Sequence, residues 1–161
     1  MPTDLNTLRI QSTSPPLEFR GEAYYLIAGG VGGLGQAVST CMVEHGARHF
    51  IFLSRSAGTS ESHKAFFAEL EAPRLHRVVQ AATAPIAGVL HMAMALQDRP
   101  FLSMSHEDWV AAINPEVKGT MNLHNALMDA SIDLDFFVMF GSISGSFGIA
   151  HQANYAAGDT F

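Results

Sequence analysis

One cysteine, no basic run and no long apolar stretch set the first limits on this 161-residue chain. Cys41 has no second cysteine to pair with, so no disulfide staples the fold, which points to a reducing compartment. The formal net charge is −6 and the nine lysines and arginines never cluster, which excludes nucleic acid and anionic membrane surfaces as partners. No apolar run approaches the roughly 20 residues that cross a bilayer. Residues 1–19 also lack the basic-then-apolar pattern of a secretory leader. The expectation is a soluble cytoplasmic domain with no membrane contact. Of the eight histidines only His45 and His49 stand four apart, and Gly46 interrupts the helix between them, so no metal site is expected. What the composition does supply is apolar surface: hydrophobic residues make up 48% and charged ones 15%. A chain of this length forms one domain and buries roughly 70% of its unfolded surface.

That apolar surface is arranged around residues 24–35, YYLIAGGVGGLG. Residues 24–28 read as a buried parallel strand, too short for a helix and closed by glycine. Gly29, Gly30, Gly32, Gly33 and Gly35 follow, and a helical pattern over 34–45 grows out of them, with Leu34, Ala37, Val38, Cys41 and Met42 as its apolar positions and Gly46 as its stop. A strand, a glycine turn and a helix N-terminus form a ready anion site: free N–H groups point into the turn and no side chain blocks close approach. A lone glycine-rich turn is weak evidence, and the flanking strand and helix strengthen it.

The remaining chain alternates in the same way. Residues 1–19 are polar, with Ser14, Pro15 and Pro16 in a row, and read as a leader or linker to a domain over 20–161. Strands are expected at 49–54, 87–91 and 135–140, and helices at 60–72 and 75–83. A further helix opens at a Ser105–Asp108 capping box, and Pro115 is expected to start or kink the stretch after it. Residues 141–151 read as a glycine- and serine-rich loop and 153–161 as a helix. Strands alternating with helices predict an α/β Rossmann-like, doubly wound parallel sheet. In such a sheet ligands sit beyond the carboxyl ends of the strands, where residues 29–35, Ser54, Arg55, 91–94 and Ser142 should gather.

Two groups of residues carry chemistry. After the second strand an acidic side chain would hold a ribose 2′-hydroxyl, but Ser54 and Arg55 stand there instead and suit a 2′-phosphate, which favours NADPH. Lys118, Ser142 and Tyr155 form the second group. A serine and a tyrosine hydroxyl converging on a carbonyl oxygen hold it and protonate it, and a nearby lysine lowers the phenol pKa by favouring the phenolate. Each residue alone is more often a structural one.

Together the segments AGGVGGLG (28–35), LSRS (53–56), GVLHMA (88–93), PEVKGT (115–120) and QANYAA (152–157) resemble the ketoreductase domains of polyketide synthases, with most similarity to fungal highly reducing synthases, from about residue 19 onward. The resemblance implies an NADPH-dependent reduction of a β-ketoacyl thioester, carried on an acyl carrier protein, to the β-hydroxyacyl form, in company with other synthase domains. It implies that Gly29, Gly33, Leu34 and Gly35 line the cofactor turn, that Ser54 and Arg55 contact the 2′-phosphate, and that Ala93 lies beside the nicotinamide. Tyr155 matches the proton donor, Ser142 the carbonyl-orienting hydroxyl and Lys118 the lysine, with Asp159 at a position where asparagine is usual.

The chain departs from that pattern in ways that bear on activity. Residues 71–74 run straight into 75–83 where the family places a further strand, so the sheet is expected to be incomplete and residues 49–53 to lie at its edge. The sequence also stops six positions after Tyr155, so the family's further strands and lid are absent from it. His151 stands where a glycine is usual. Leu96, Gln97, Asp98 and Phe147 occupy the positions of stereochemical markers without fixing a product configuration. Asp159 either opposes the phenolate of Tyr155 or pairs with Lys118. Two readings follow: a working ketoreductase, or a truncated remnant with weak or no nucleotide binding.

Overall fold

The computed structural model describes residues 16–55, 63–64, 66 and 85–161. The expected helices at 60–72 and 75–83, and the junction at 71–74, lie outside the described residues, except that His63, Lys64 and Phe66 are helical. Four parallel strands form one sheet in the order β2-β1-β3-β4: β1 is Tyr24–Ala28, β2 His49–Leu53, β3 Ile86–His91 and β4 Phe136–Met139. The register puts Ala28 level with Leu53 and His91, and His91 level with Met139, so all four strands end at one edge. Among the described residues β2 has β1 as its only strand neighbour, which makes it the expected sheet edge.

Every residue of β1 is buried, as a central strand covered on both faces requires. Tyr25 and Ile27 face one core with Met42, Phe50 and Ala87, against helix α1 (Gly33–Glu44). Leu26 faces the other way, with Val89 and Leu127, against helix α2 (His106–Asp129). Helices on both faces define the doubly wound arrangement. Burying one such large apolar side chain contributes about 2 kcal/mol. Phe19, in the expected leader, belongs to this packing. Its ring meets Tyr25 edge-on at 5.3 Å and its amide donates to the His45 carbonyl at 2.8 Å.

Three local expectations are corrected. The buried side of α1 is Gly35, Ser39 and Met42, while Leu34 and Cys41 are exposed, because only small residues fit where the helix start presses on the glycine turn. Pro115 does not start a helix: α2 runs through it, opened by a complete Ser105–Asp108 capping box and held at the proline by His91, whose Nε2–H donates to the Pro115 carbonyl at 2.9 Å. The 141–151 segment carries a five-residue helix, α3 (Ile143–Phe147), with Ser142 as its N-cap. By contrast the end of α1 is as expected. Gly46, at φ 106°, turns the chain so that its own amide reaches Val43 and the Ala47 amide reaches Met42.

Candidate active site

The glycine turn, the ends of β2 and β3, and the segment after β4 meet at the carboxyl edge of the sheet. Gly29 sits at φ 80°, and a side chain there would come within 2.7 Å of the Ala93 backbone, so the turn and the post-β3 segment are in close contact. A Cβ on Gly35 would lie 2.4 Å from Gly30, which locks the start of α1 onto the turn. Gly33 differs, since nothing stands within 4 Å of the space its side chain would fill. Gly32 caps α1 without a side-chain hydrogen bond, and the first-turn amides of Gly33, Leu34 and Gly35 have no carbonyl inside the helix to bond. Open space beside unsatisfied donors fits a dinucleotide phosphate. Ser54 and the exposed Arg55 follow directly at the end of β2, and Arg55 makes no hydrogen bond or ion pair among the described residues.

Ser142 and Tyr155 come together, although thirteen positions separate them. Tyr155 stands on α4 (Ala153–Asp159), its ring buried. Its hydroxyl donates to Met94 Sδ at 3.8 Å, and the Ser142 side chain is close enough to act on its pKa. The Ser142 hydroxyl also accepts the Ser144 amide at 3.1 Å, and the Ser142 amide donates to Asp159 Oδ1 at 2.9 Å. Lys118 stands apart. It is exposed on α2, forms no side-chain hydrogen bond or ion pair among the described residues, and is not among the charges acting on Tyr155.

The electrostatics correct the expected lowering of the phenol. Burial raises the Tyr155 pKa above its ordinary value; Ser142 lowers it, and the charges of Asp159 and Glu116 raise it further. Asp159 is itself raised by burial, offset by the Ser142 amide. Glu116, two residues before Lys118, is pushed up to about 7 by burial and by Asp159. Pairing of Asp159 with Lys118 is not what the structure contains.

Two residues to which the sequence assigned no role hold this geometry. Asn154 is fully buried. Its side-chain amide donates to the Gln97 and Asp108 carbonyls, each at 3.1 Å, and its oxygen accepts the Tyr155 amide at 2.9 Å. It ties α4 to α2 and to the segment after β3. The only hint was a polar side chain beside the tyrosine in QANYAA. His91 is the other. A Cβ on Gly119 would approach its Nε2 to 3.1 Å, so the glycine next to Lys118 makes room for the imidazole. Two shallow hollows of about 390 and 410 Å³ open beside Trp109 and between Phe19 and Arg48, and neither is lined by Ser142 or Tyr155.

A parallel sheet with a glycine turn at one strand end and a serine–tyrosine pair at another defines a dinucleotide-binding reductase of short-chain dehydrogenase type. The KR domain model matches residues 23–81 and 73–161, and the chain belongs to that family, the ketoreductases of polyketide biosynthesis. The highly reducing polyketide synthase gloL of Glarea lozoyensis is 49% identical over all of this chain, which spans 7% of that synthase. That alignment runs over 176 residues, so the relative holds residues with no counterpart in this chain. A ketoreductase domain from the bacillaene assembly line superposes with a TM-score of 0.81 at 25% identity, over 93% of this chain and 40% of that one. A-type ketoreductases from a modular polyketide synthase give 0.77 at 27% identity, over 90% and 33%. KR domains of this superfamily use a nicotinamide cofactor, and the open glycine turn fits one. Among the described residues no helix is long and apolar enough to cross a membrane.

Proposed function

We propose that the chain is the core of a cytoplasmic NADPH-dependent ketoreductase that reduces a β-ketoacyl thioester, presented by an acyl carrier protein, to the β-hydroxyacyl form alongside other synthase domains. The observation that carries this reading is the convergence of Ser142 with Tyr155, whose helix Asp159 ties to the Ser142 amide, at the same sheet edge as the glycine turn. The first-turn amides of Gly33, Leu34 and Gly35 bind the pyrophosphate, Ser54 and Arg55 hold the 2′-phosphate, and the Ala93 backbone borders the nicotinamide. The nicotinamide, when bound, supplies hydride to the keto carbon. Ser142 donates a hydrogen bond that orients the keto oxygen, and Tyr155 passes its phenolic proton to that oxygen. NADPH oxidation driven by a short β-ketoacyl thioester tests the reading, and an absence of turnover alongside measurable NADPH binding would refute it.

A second reading, a remnant without catalysis, is favoured by one observation: Lys118 is exposed and engages neither Tyr155 nor Asp159. Cofactor choice separates nucleotide binding from catalysis. A charge-assisted contact to a phosphate is worth about 1.5–3 kcal/mol. Arg55→Ala is therefore expected to weaken NADPH binding about ten- to a hundredfold and leave NADH nearly unchanged. Equal losses for both cofactors in a fluorescence titration would remove Arg55 from the 2′-phosphate.

A further inference from the structure

We propose that Glu116 and Asp159 share a single proton that bridges α2 to α4, and that Glu116 is thereby a positioning residue for Ser142 and Tyr155. This deepens the ketoreductase reading and rests on it for its role in catalysis, but the shared proton itself does not depend on turnover. Glu116 Oε2 and Asp159 Oδ2 are both buried and have no hydrogen-bond partner among the described residues. Two buried carboxylate oxygens without donors are costly, and one proton between them satisfies both as an O–H···O⁻ bond. A glycine admits Glu116 to this end of α4. Glu116 Oε2 packs so closely on Gly158, the residue before Asp159, that any side chain there would overlap it. The other oxygen of Asp159 is already committed, accepting the Ser142 amide at 2.9 Å. With that proton in place a line runs from α2 through Glu116 and Asp159 to the Ser142 amide, beside Tyr155.

Among the described residues no positive group pairs with either oxygen. Lys118, on the same helix as Glu116, is exposed and unpaired among the described residues. On β3 the His91 Nε2–H is spent on the Pro115 carbonyl. From α4 the facing titratable group is Tyr155, and from the segment before α3 it is the neutral Ser142. The acid-weakening of both carboxyls by burial, and of Glu116 by Asp159, follows from the same enclosure. When the shared proton leaves, two carboxylates face each other and the strut loosens.

The Ser142 amide reports the bridge directly in an amide-resolved NMR titration from pH 5 to 9. In the unaltered chain its resonance is expected to titrate with a midpoint near 7 and to move further than any other amide in this region. Glu116→Gln places a neutral donor opposite Asp159. It should hold the Ser142 amide bond while removing that midpoint. Asp159→Asn should do the same, since its amide accepts from Ser142 and donates to Glu116. Glu116→Ala should speed exchange of the Ser142 amide at least tenfold. A flat Ser142 resonance in the unaltered chain overturns the proposal even if every variant fails to fold. A midpoint that survives both amide substitutions belongs to another group and also overturns it. Loss of ketone reduction with the titration intact would count only against the ketoreductase reading.

Discussion

Gly35→Ala is expected to lower the melting temperature by roughly 9 °C, while Gly33→Ala leaves it within about 2 °C and instead weakens NADPH at least tenfold. The two glycines lie in one motif and invite one explanation, but their surroundings differ. A Cβ on Gly35 would lie 2.4 Å from the Cα and carbonyl oxygen of Gly30, and backbone cannot rotate aside as a side chain does. Relief requires α1 to lift from the sheet, spoiling the contact of Met42 and Val38 with Tyr25 and Ile27. Overpacking of this kind costs about 3 kcal/mol, and each kcal/mol moves the melting point of a domain this size by about 3 °C. Gly33 has open space where its Cβ would stand, so the fold tolerates alanine there. What the methyl would fill is the approach of a phosphate to the first-turn amides. Thermal melts followed by circular dichroism, paired with NADPH titrations, read both effects. Unchanged NADPH affinity in Gly33→Ala would separate the turn from the cofactor, and a Gly35→Ala melt within 2 °C of the parent would show that the helix start yields more easily than its packing implies.

The strands were legible because each is a short apolar run closed by glycine or a polar residue, and β1 has the bounds its sequence suggests. The buried side of α1 was not, because Gly35 and Ser39 carry no hydrophobic signal, although their smallness is what lets the helix seat against Gly30. Five residues are too few to show a helical period, which is why α3 read as loop. The departure at His151 gains a physical meaning: its φ is 69°, in the left-handed region where glycine is unstrained. Within the site, Ser142 and Tyr155 stand out by their order behind the glycine turn, and Asp159 ties the Ser142 amide to the Tyr155 helix. The contact of Glu116 with Gly158 was not, because it joins distant segments and the lysine two positions on draws the eye first. Asp159 was noticed for its charge, but its main bond is to a backbone amide, a partner that no sequence pattern displays.

Tyr155→Phe is expected to reduce ketone reduction by at least a hundredfold while leaving NADPH binding unchanged. Removing one oxygen deletes the proton that must reach the keto oxygen as hydride reaches carbon, and positioned general acids contribute about 10²–10⁴-fold. The ring itself is buried and stays so in phenylalanine, so stability is little affected apart from the weak contact to Met94 Sδ at 3.8 Å. The pH profile carries a second, independent signature. Burial, Asp159 and Glu116 together outweigh Ser142 and raise the phenol pKa, so the hydroxyl keeps its proton through the neutral range. A proton donor must be protonated to act, and a raised pKa therefore moves the alkaline loss of activity upward. Reduction should hold a plateau through pH 8 and 9 and fall only where an ordinary phenol, near 10, would already be ionised. Asp159→Asn removes one of the two negative charges facing the ring, and the alkaline limb should then shift toward lower pH. Steady-state rates on a small ketone across that range decide the matter. A Tyr155→Phe chain that reduces within threefold of the parent would place the proton elsewhere, and an alkaline limb unmoved by Asp159→Asn would show that solvent screens the carboxylate from the phenol.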